Sequence, residues 1–176
     1  QRPYVKSMRM FEVAPTANLA PPDWLDEGVN NLVQFQWNLR SLPRDLSGPF
    51  DDIVGEEGTF DGTLADLKSD FGPKVDLETD LFGQFEPMIL FFGRNDGVIS
   101  TTSEHTLMAI KLVDEKTVAT AIRKLFVTDA NVVRERVLDY DLWKFGAKKP
   151  LGAGNGVKFK SSGIVVAGGY LFMSSN

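Results

Sequence analysis

The run TLMAIKLVDEKTVATAIRKLF, Thr106 to Phe126, constrains the fold more than any other stretch, because its hydrophobic period changes in the middle. Met108, Ile110 and Leu112 are alternate apolar residues, the period of a strand. Beyond Asp114, the residues Val118, Ala121, Ile122 and Leu125 recur at helical spacing and form one apolar stripe. Asp114 is a natural N-cap, Glu115 suits the positive helix start, and Arg123 and Lys124 suit the negative end. A strand that runs into an amphipathic helix needs a sheet for that helix to cover.

The flanking segments supply the sheet and more helices. NLVQFQWNL (residues 31–39) alternates strictly, with Val33, Phe35, Trp37 and Leu39 pointing one way and Gln34, Gln36 and Asn38 the other, as in a half-buried antiparallel strand. Between it and Thr106 lies an acidic, helical middle. Phe50, Ile53 and Val54 mark the inner side of a short helix capped by Gly55. Phe60, Leu64, Leu67 and Phe71 mark the next helix, stopped by Gly72-Pro73. Asp76 caps a third, with Leu77, Leu81 and Phe82 inward and Gly83 at its end. PMILFFG is a short strand followed by an Asp96-Gly97 turn. VVRERVLDYDLWKF predicts an edge hairpin turning near Asp139 to Asp141, and GIVVAGGYLFMSS a second hairpin around Gly168-Gly169. The order is strand, strand, helix, hairpins. It predicts an α+β fold: an antiparallel sheet with short helices packed on one face. Residues 1–28, broken by Pro15, Pro21 and Pro22, form an extended N-terminal arm with Trp24 as its anchor; residues 29–176 form a single domain, expected to be excised from a longer chain.

Composition narrows the function classes. The chain has 176 residues, 43% hydrophobic and 24% charged, enough for one domain with a proper core. It has no cysteine, which removes disulfides, cysteine-ligated zinc, iron–sulfur clusters and thiol nucleophiles. No cofactor is expected. The net charge of −5 argues against nucleic acid as a partner. The charge is uneven: residues 45–80 hold 11 acids and two lysines, whereas residues 111–160 hold 11 bases and six acids. No apolar run approaches the ~20 residues of a transmembrane helix.

Candidate chemistry is sparse. Asp51, Asp52, Glu56, Glu57 and Asp61 are the metal-ligating candidates: clustered carboxylates bind Ca²⁺, or work as an acid–base pair when their environments differ. Their spacing does not match an EF-hand loop, and acids between apolar helix positions face water. His105, the sole histidine, precedes a strand among Thr101, Thr102, Ser103 and Glu104 and reads as a surface residue rather than part of a triad with Ser100 or Ser103. LGAGNG lacks the following helix of a phosphate loop and reads as a hairpin connection beside Lys148, Lys149, Lys158 and Lys160. Trp37 belongs to the core, and Trp143, on a polar hairpin, is the tryptophan most open to a surface role. The many phenylalanines also fit a carrier of small apolar ligands. No residue is assigned as catalytic.

The segments FQWNL, FDDIVGEEGTFDGTLADLKSDFGPKVDLETDLF, LMAIKLVDEKTVATAIRKLF and VVAGGYLFMSS together resemble a family of large exported bacterial proteins catalogued only as a domain of unknown function. The resemblance runs from Trp24 to Ser175. It implies a secreted, periplasmic or cell-envelope location and carries no activity and no site residues. With it, the expected role is a non-catalytic module for scaffolding or for binding a protein partner or a neighbouring domain of the same chain. The exposed strand Val132 to Arg136 is the edge for pairing. The alternative is a metal-dependent binder or hydrolase using residues 51–61.

Overall fold

The computed structural model describes residues 20–71, 75–95, 104–145 and 162–174. Its frame is one seven-stranded sheet in which every neighbouring pair is antiparallel. The strands are β1 (Asn31–Phe35), β2 (Phe85–Asn95), β3 (Glu104–Leu112), β4 (Val132–Val137), β5 (Tyr140–Phe145), β6 (Ser162–Ala167) and β7 (Tyr170–Ser174). Their spatial order is β1-β2-β3-β7-β6-β5-β4. Alternation of direction makes β3 and β4 parallel across three intervening strands, so the connection between them must cross the sheet. Helix α3 (Glu115–Phe126) makes that crossing. β4 consequently lands at the far edge, and the β4–β5–β6–β7 meander returns to pair with β3. Among the described residues no helix is long and apolar enough to cross a membrane.

The expected α+β architecture is present, with the helices on one face. Val118 and Ile122 of α3 sink into a cluster with Ile89, Ile110, Trp143, Val166 and Leu171. The Asp114 carboxylate accepts from the Lys116 and Thr117 amides at 2.9 and 3.3 Å and from the Thr117 hydroxyl at 2.8 Å. These bonds, that from the Thr117 hydroxyl foremost, pull the Asp114 pKa below its ordinary value. Ala121 and Leu125 turn sideways onto Val75 and Leu77. There a π-helical turn (Leu77–Leu81) starts at Asp76, whose side chain accepts from the Glu78 and Thr79 amides. Met108, Ile110 and Leu112 all face this core, as their alternation requires.

The opposite face is also covered. Leu90 and Ala109 are fully buried there with Phe92, and Leu25, Val29, Leu32, Tyr170 and Phe172 pack around them. The described part of the arm, residues 20–28, helps close that face: the Trp24 ring lies 5.2–5.6 Å from the rings of Phe92, Tyr170 and Phe172. This overturns the simple inside–outside reading of residues 31–39. β1 ends at Phe35, and a 3-10 turn (Leu39–Ser41) follows. Phe35, Trp37 and Leu39 do reach the helix-side core, but Val33 is exposed because β1 is an edge strand. Gln34 sits opposite Leu90 on the arm side, which is apolar and only partly open to solvent.

Two further expectations are corrected. Helix α1 (Leu42–Val54) is longer than the sequence indicated and buries none of its residues; Ile53, assigned inward, is 86% exposed. The reason is its neighbour: α1 packs mainly on α2 (Thr59–Phe71), through Phe50 against Phe60 at 5.5 Å, rather than on the sheet. Gly55 does cap α1, with φ +82° and its amide on the Asp51 carbonyl at 2.7 Å. β2 runs 11 residues, longer than its apolar run, because Arg94 and Asn95 continue the ladder with His105 and Glu104; it is irregular between Phe85 and Ile89. That irregularity accommodates Pro87, which has no amide proton for a ladder. The Gly72-Pro73 stop, the Asp96-Gly97 turn and residues 146–161 lie outside the described residues.

Candidate functional site

The outer hairpin β4–β5 is built by a two-residue turn, Leu138-Asp139, one step earlier than the Asp139–Asp141 turn the sequence indicated. The shift matters, because it places Asp141 within β5, directly opposite Arg136. Asp141 becomes the centre of an ion cluster on the helix side. Arg134 Nη2 donates to both its carboxylate oxygens at 2.8 Å, Arg136 Nη1 donates at 3.0 Å, and Arg123 of α3 stands at 3.5 Å. The Asp141 side chain is 11% exposed, whereas the three arginines are about half exposed. Burial pushes the Asp141 carboxyl up, but the Arg134 and Arg136 hydrogen bonds and charges outweigh it and hold its pKa below the ordinary value. The Arg134 guanidinium also lies 5.7 Å from the Trp143 ring centre. Trp143 is 3% exposed and part of the main core, which corrects the surface role expected for it.

The other side of the hairpin is different. Lys144 donates to Glu135 across the strands. Val133 and Val137 stand on the same side as Glu135 and are 50% and 43% exposed. Five of the six β4 residues are exposed in all. The Val132 amide donates not to β5 but back to the Asp129 carbonyl at 3.2 Å. In an antiparallel ladder, backbone groups point alternately toward the neighbour and away from it. With Val137 and Tyr140 as the bonded pair flanking the turn, Arg134 and Arg136 direct their amides and carbonyls outward, away from β5. Among the described residues, β4 is the last strand on its side of the sheet.

Under α3, a cavity of about 170 Å³ has Ala119, Ile122, Trp143 and Val166 on its apolar side and Arg123 and Asp141 on its polar side. That is below the ~300 Å³ where small-molecule sites begin. Glu115 also borders it, but its carboxylate is engaged by the Gly169 amide at 2.7 Å.

The five acidic candidates, Asp51, Asp52, Glu56, Glu57 and Asp61, do come together: all line one open hollow of about 640 Å³ at the α1–α2 junction. Asp51 is the half-buried member, and its carboxylate accepts from the Gly58 amide at 2.7 Å and the Phe60 amide at 2.8 Å. It fastens the start of α2. The other four are exposed. Among the described residues no group of three or more acidic or histidine side chains is arranged to hold a metal ion. A second surface hollow, about 780 Å³, is lined by polar groups that include Arg40, Arg44, Asp61 and Glu78, not by an apolar wall suited to a carried ligand.

The backbone of His105 lies inside β3, opposite Arg94, rather than in a loop before the strand. Ser100, Ser103 and the LGAGNG run lie outside the described residues. The cluster around Asp141 was missed in the sequence, although Arg-Glu-Arg and Asp-Tyr-Asp face each other once the turn is set at Leu138-Asp139. Comparison with protein-family models, with curated proteins and with solved structures gave no match.

Proposed function

We propose that this chain is a non-catalytic module of an exported or cell-envelope bacterial protein, and that it binds a protein partner, or a neighbouring domain of its own chain, by strand addition to β4. The observation that carries the reading is the outer edge of β4: an exposed strand with outward backbone groups and half-exposed valines at the end of a sheet otherwise covered on both faces. The export assignment rests on the resemblance of the segments between Trp24 and Ser175. The largely buried acid of the ion cluster, Asp141, is satisfied internally by Arg123, Arg134 and Arg136, as a structural carboxylate would be.

The hairpin cannot simply be deleted to test this, since β5 carries Trp143 into the core. A photo-crosslinking residue at Arg136, introduced into the full-length protein in its own host, is the suitable probe, with the exposed helix position Ile53 as control. The expected result is an adduct specific to position 136, in a cell-envelope or secreted fraction, that maps to an extended segment. Adducts equal at both positions, or none, contradict the reading.

The metal-dependent binder or hydrolase keeps one observation in its favour, the convergence of five carboxylates on one hollow. Against it stand the capping duty of Asp51 and the exposure of the others. Millimolar Ca²⁺ that raises Tm by several degrees, with loss of the shift in Asp52→Asn, would restore it.

A further inference from the structure

The charge pattern of β4 restricts what is able to add to it. Residues of one strand alternate between faces. Arg134 and Arg136 lie on the helix side, where both reach Asp141. Val133, Glu135 and Val137 lie on the other side, where Glu135 meets Lys144. The acids that neutralise these arginines belong to β5 and its turn, on the inner side of β4. A strand arriving at the outer side meets two guanidiniums, with a third, Arg123, behind them.

A second copy of the chain is a poor occupant. Two β4 edges paired antiparallel set residues of the same face opposite one another. A register centred on Glu135 places Glu135 against Glu135 and Arg134 against Arg136. Registers centred on Arg134 or Arg136 place each against itself. Like charges directly opposite are destabilising, and such charged edges guard against self-association.

We infer that β4 accepts an extended acidic segment of another protein or domain, with Asp or Glu on the side facing Arg134 and Arg136 and apolar residues on the side of Val133 and Val137. This rests on the edge-binding reading and names its partner class. Backbone hydrogen bonds would supply affinity and the alternate side chains selectivity. The arginine forks suit carboxylates, which they hold in paired hydrogen bonds.

The test uses three fluorescein-labelled peptides, TVEVEVEVT, TVSVSVSVT and TVKVKVKVT, titrated against the chain by anisotropy. The inference expects the glutamate peptide to bind at least ~10-fold tighter than the serine peptide, and the lysine peptide to bind weakest. It expects the Arg134→Gln/Arg136→Gln variant to erase the glutamate preference and Glu135→Gln to keep it. Should the double variant not fold, raising salt on the native chain must selectively weaken the glutamate peptide. Equal binding of all three peptides leaves edge pairing standing and overturns the acidic preference, as does tighter binding of the lysine peptide. No binding of any peptide up to about 1 mM overturns both.

Discussion

Leu138 occupies φ +54° in a two-residue hairpin turn, a backbone conformation that side chains with a Cβ adopt at a cost of ~1–2 kcal/mol and glycine adopts freely. Its side chain is exposed and offers little packing in return. Leu138→Gly is therefore expected to stabilise the fold by about 1 kcal/mol, a rise of about 2–4 °C in Tm by calorimetry. Asp141 is the opposite case, a residue whose removal leaves others stranded. Asp141→Asn leaves Arg123, Arg134 and Arg136 repelling one another, and is expected to cost about 1–3 kcal/mol in denaturant unfolding. The pH dependence has a definite sign. The folded pKa of Asp141 is depressed, so its contribution is fully present above the ordinary aspartate value of ~3.9 and is lost as pH falls through the lower folded value. The stability gap between native chain and Asp141→Asn should stay constant from about pH 7 to 5 and close below about pH 4. A gap that closes near neutrality would contradict the assignment.

Elements differ in how much of the fold depends on them. α3 buries four residues, Val118 and Ile122 of them against the sheet, whereas α1 leans on α2 and buries none. Ile122→Ala should cost about 2–5 kcal/mol, while Ile53→Ala should fall within about 0.5 kcal/mol of the native chain. This pair also marks what the sequence made legible. In α3 the apolar stripe, N-cap and basic last turn all agree, and Val118, Ala121, Ile122 and Leu125 are the buried residues. The same logic fails for Ile53 and Val54, because periodicity reports an apolar side but not whether anything is there to cover it. It fails again at Gln34, where an alternating strand promises a wet face and the side chain is half-buried opposite Leu90. The side-chain amide of Gln34 has no hydrogen-bonding partner among the described residues. Trp143 is the converse case: its strand looks polar, but its side chain faces α3 and packs with Ile122, Phe126 and Val166. The candidate edge was visible as a charged, β-branched run. The Asp141 cluster was not, because a shift of one residue in the turn decides which charges meet.

Among the described residues, the sheet is covered on both faces and ends at β1 and β4. The arm contributes to that closure through Trp24, which stays 39% exposed yet packs on three other rings. Trp24→Ala is expected to cost about 2 kcal/mol, or about 4–8 °C in Tm, and to expose an apolar face that binds a hydrophobic dye. An unchanged Tm would mean that the arm is dispensable to the domain. The covering of both faces leaves β4 as an exposed route into the sheet for an added strand, with β1 at the other edge. Residue-resolved amide exchange, with and without the peptide TVEVEVEVT, tests this most directly. In the free chain the Arg134 and Arg136 amides should exchange fast and those of Val133 and Glu135 slowly. On addition of the peptide, the Arg134 and Arg136 amides should become protected while the rest of the sheet is unchanged. Unchanged exchange at Arg134 and Arg136 with peptide bound, or protection confined to another part of the molecule, would contradict the assignment of β4 as the docking edge.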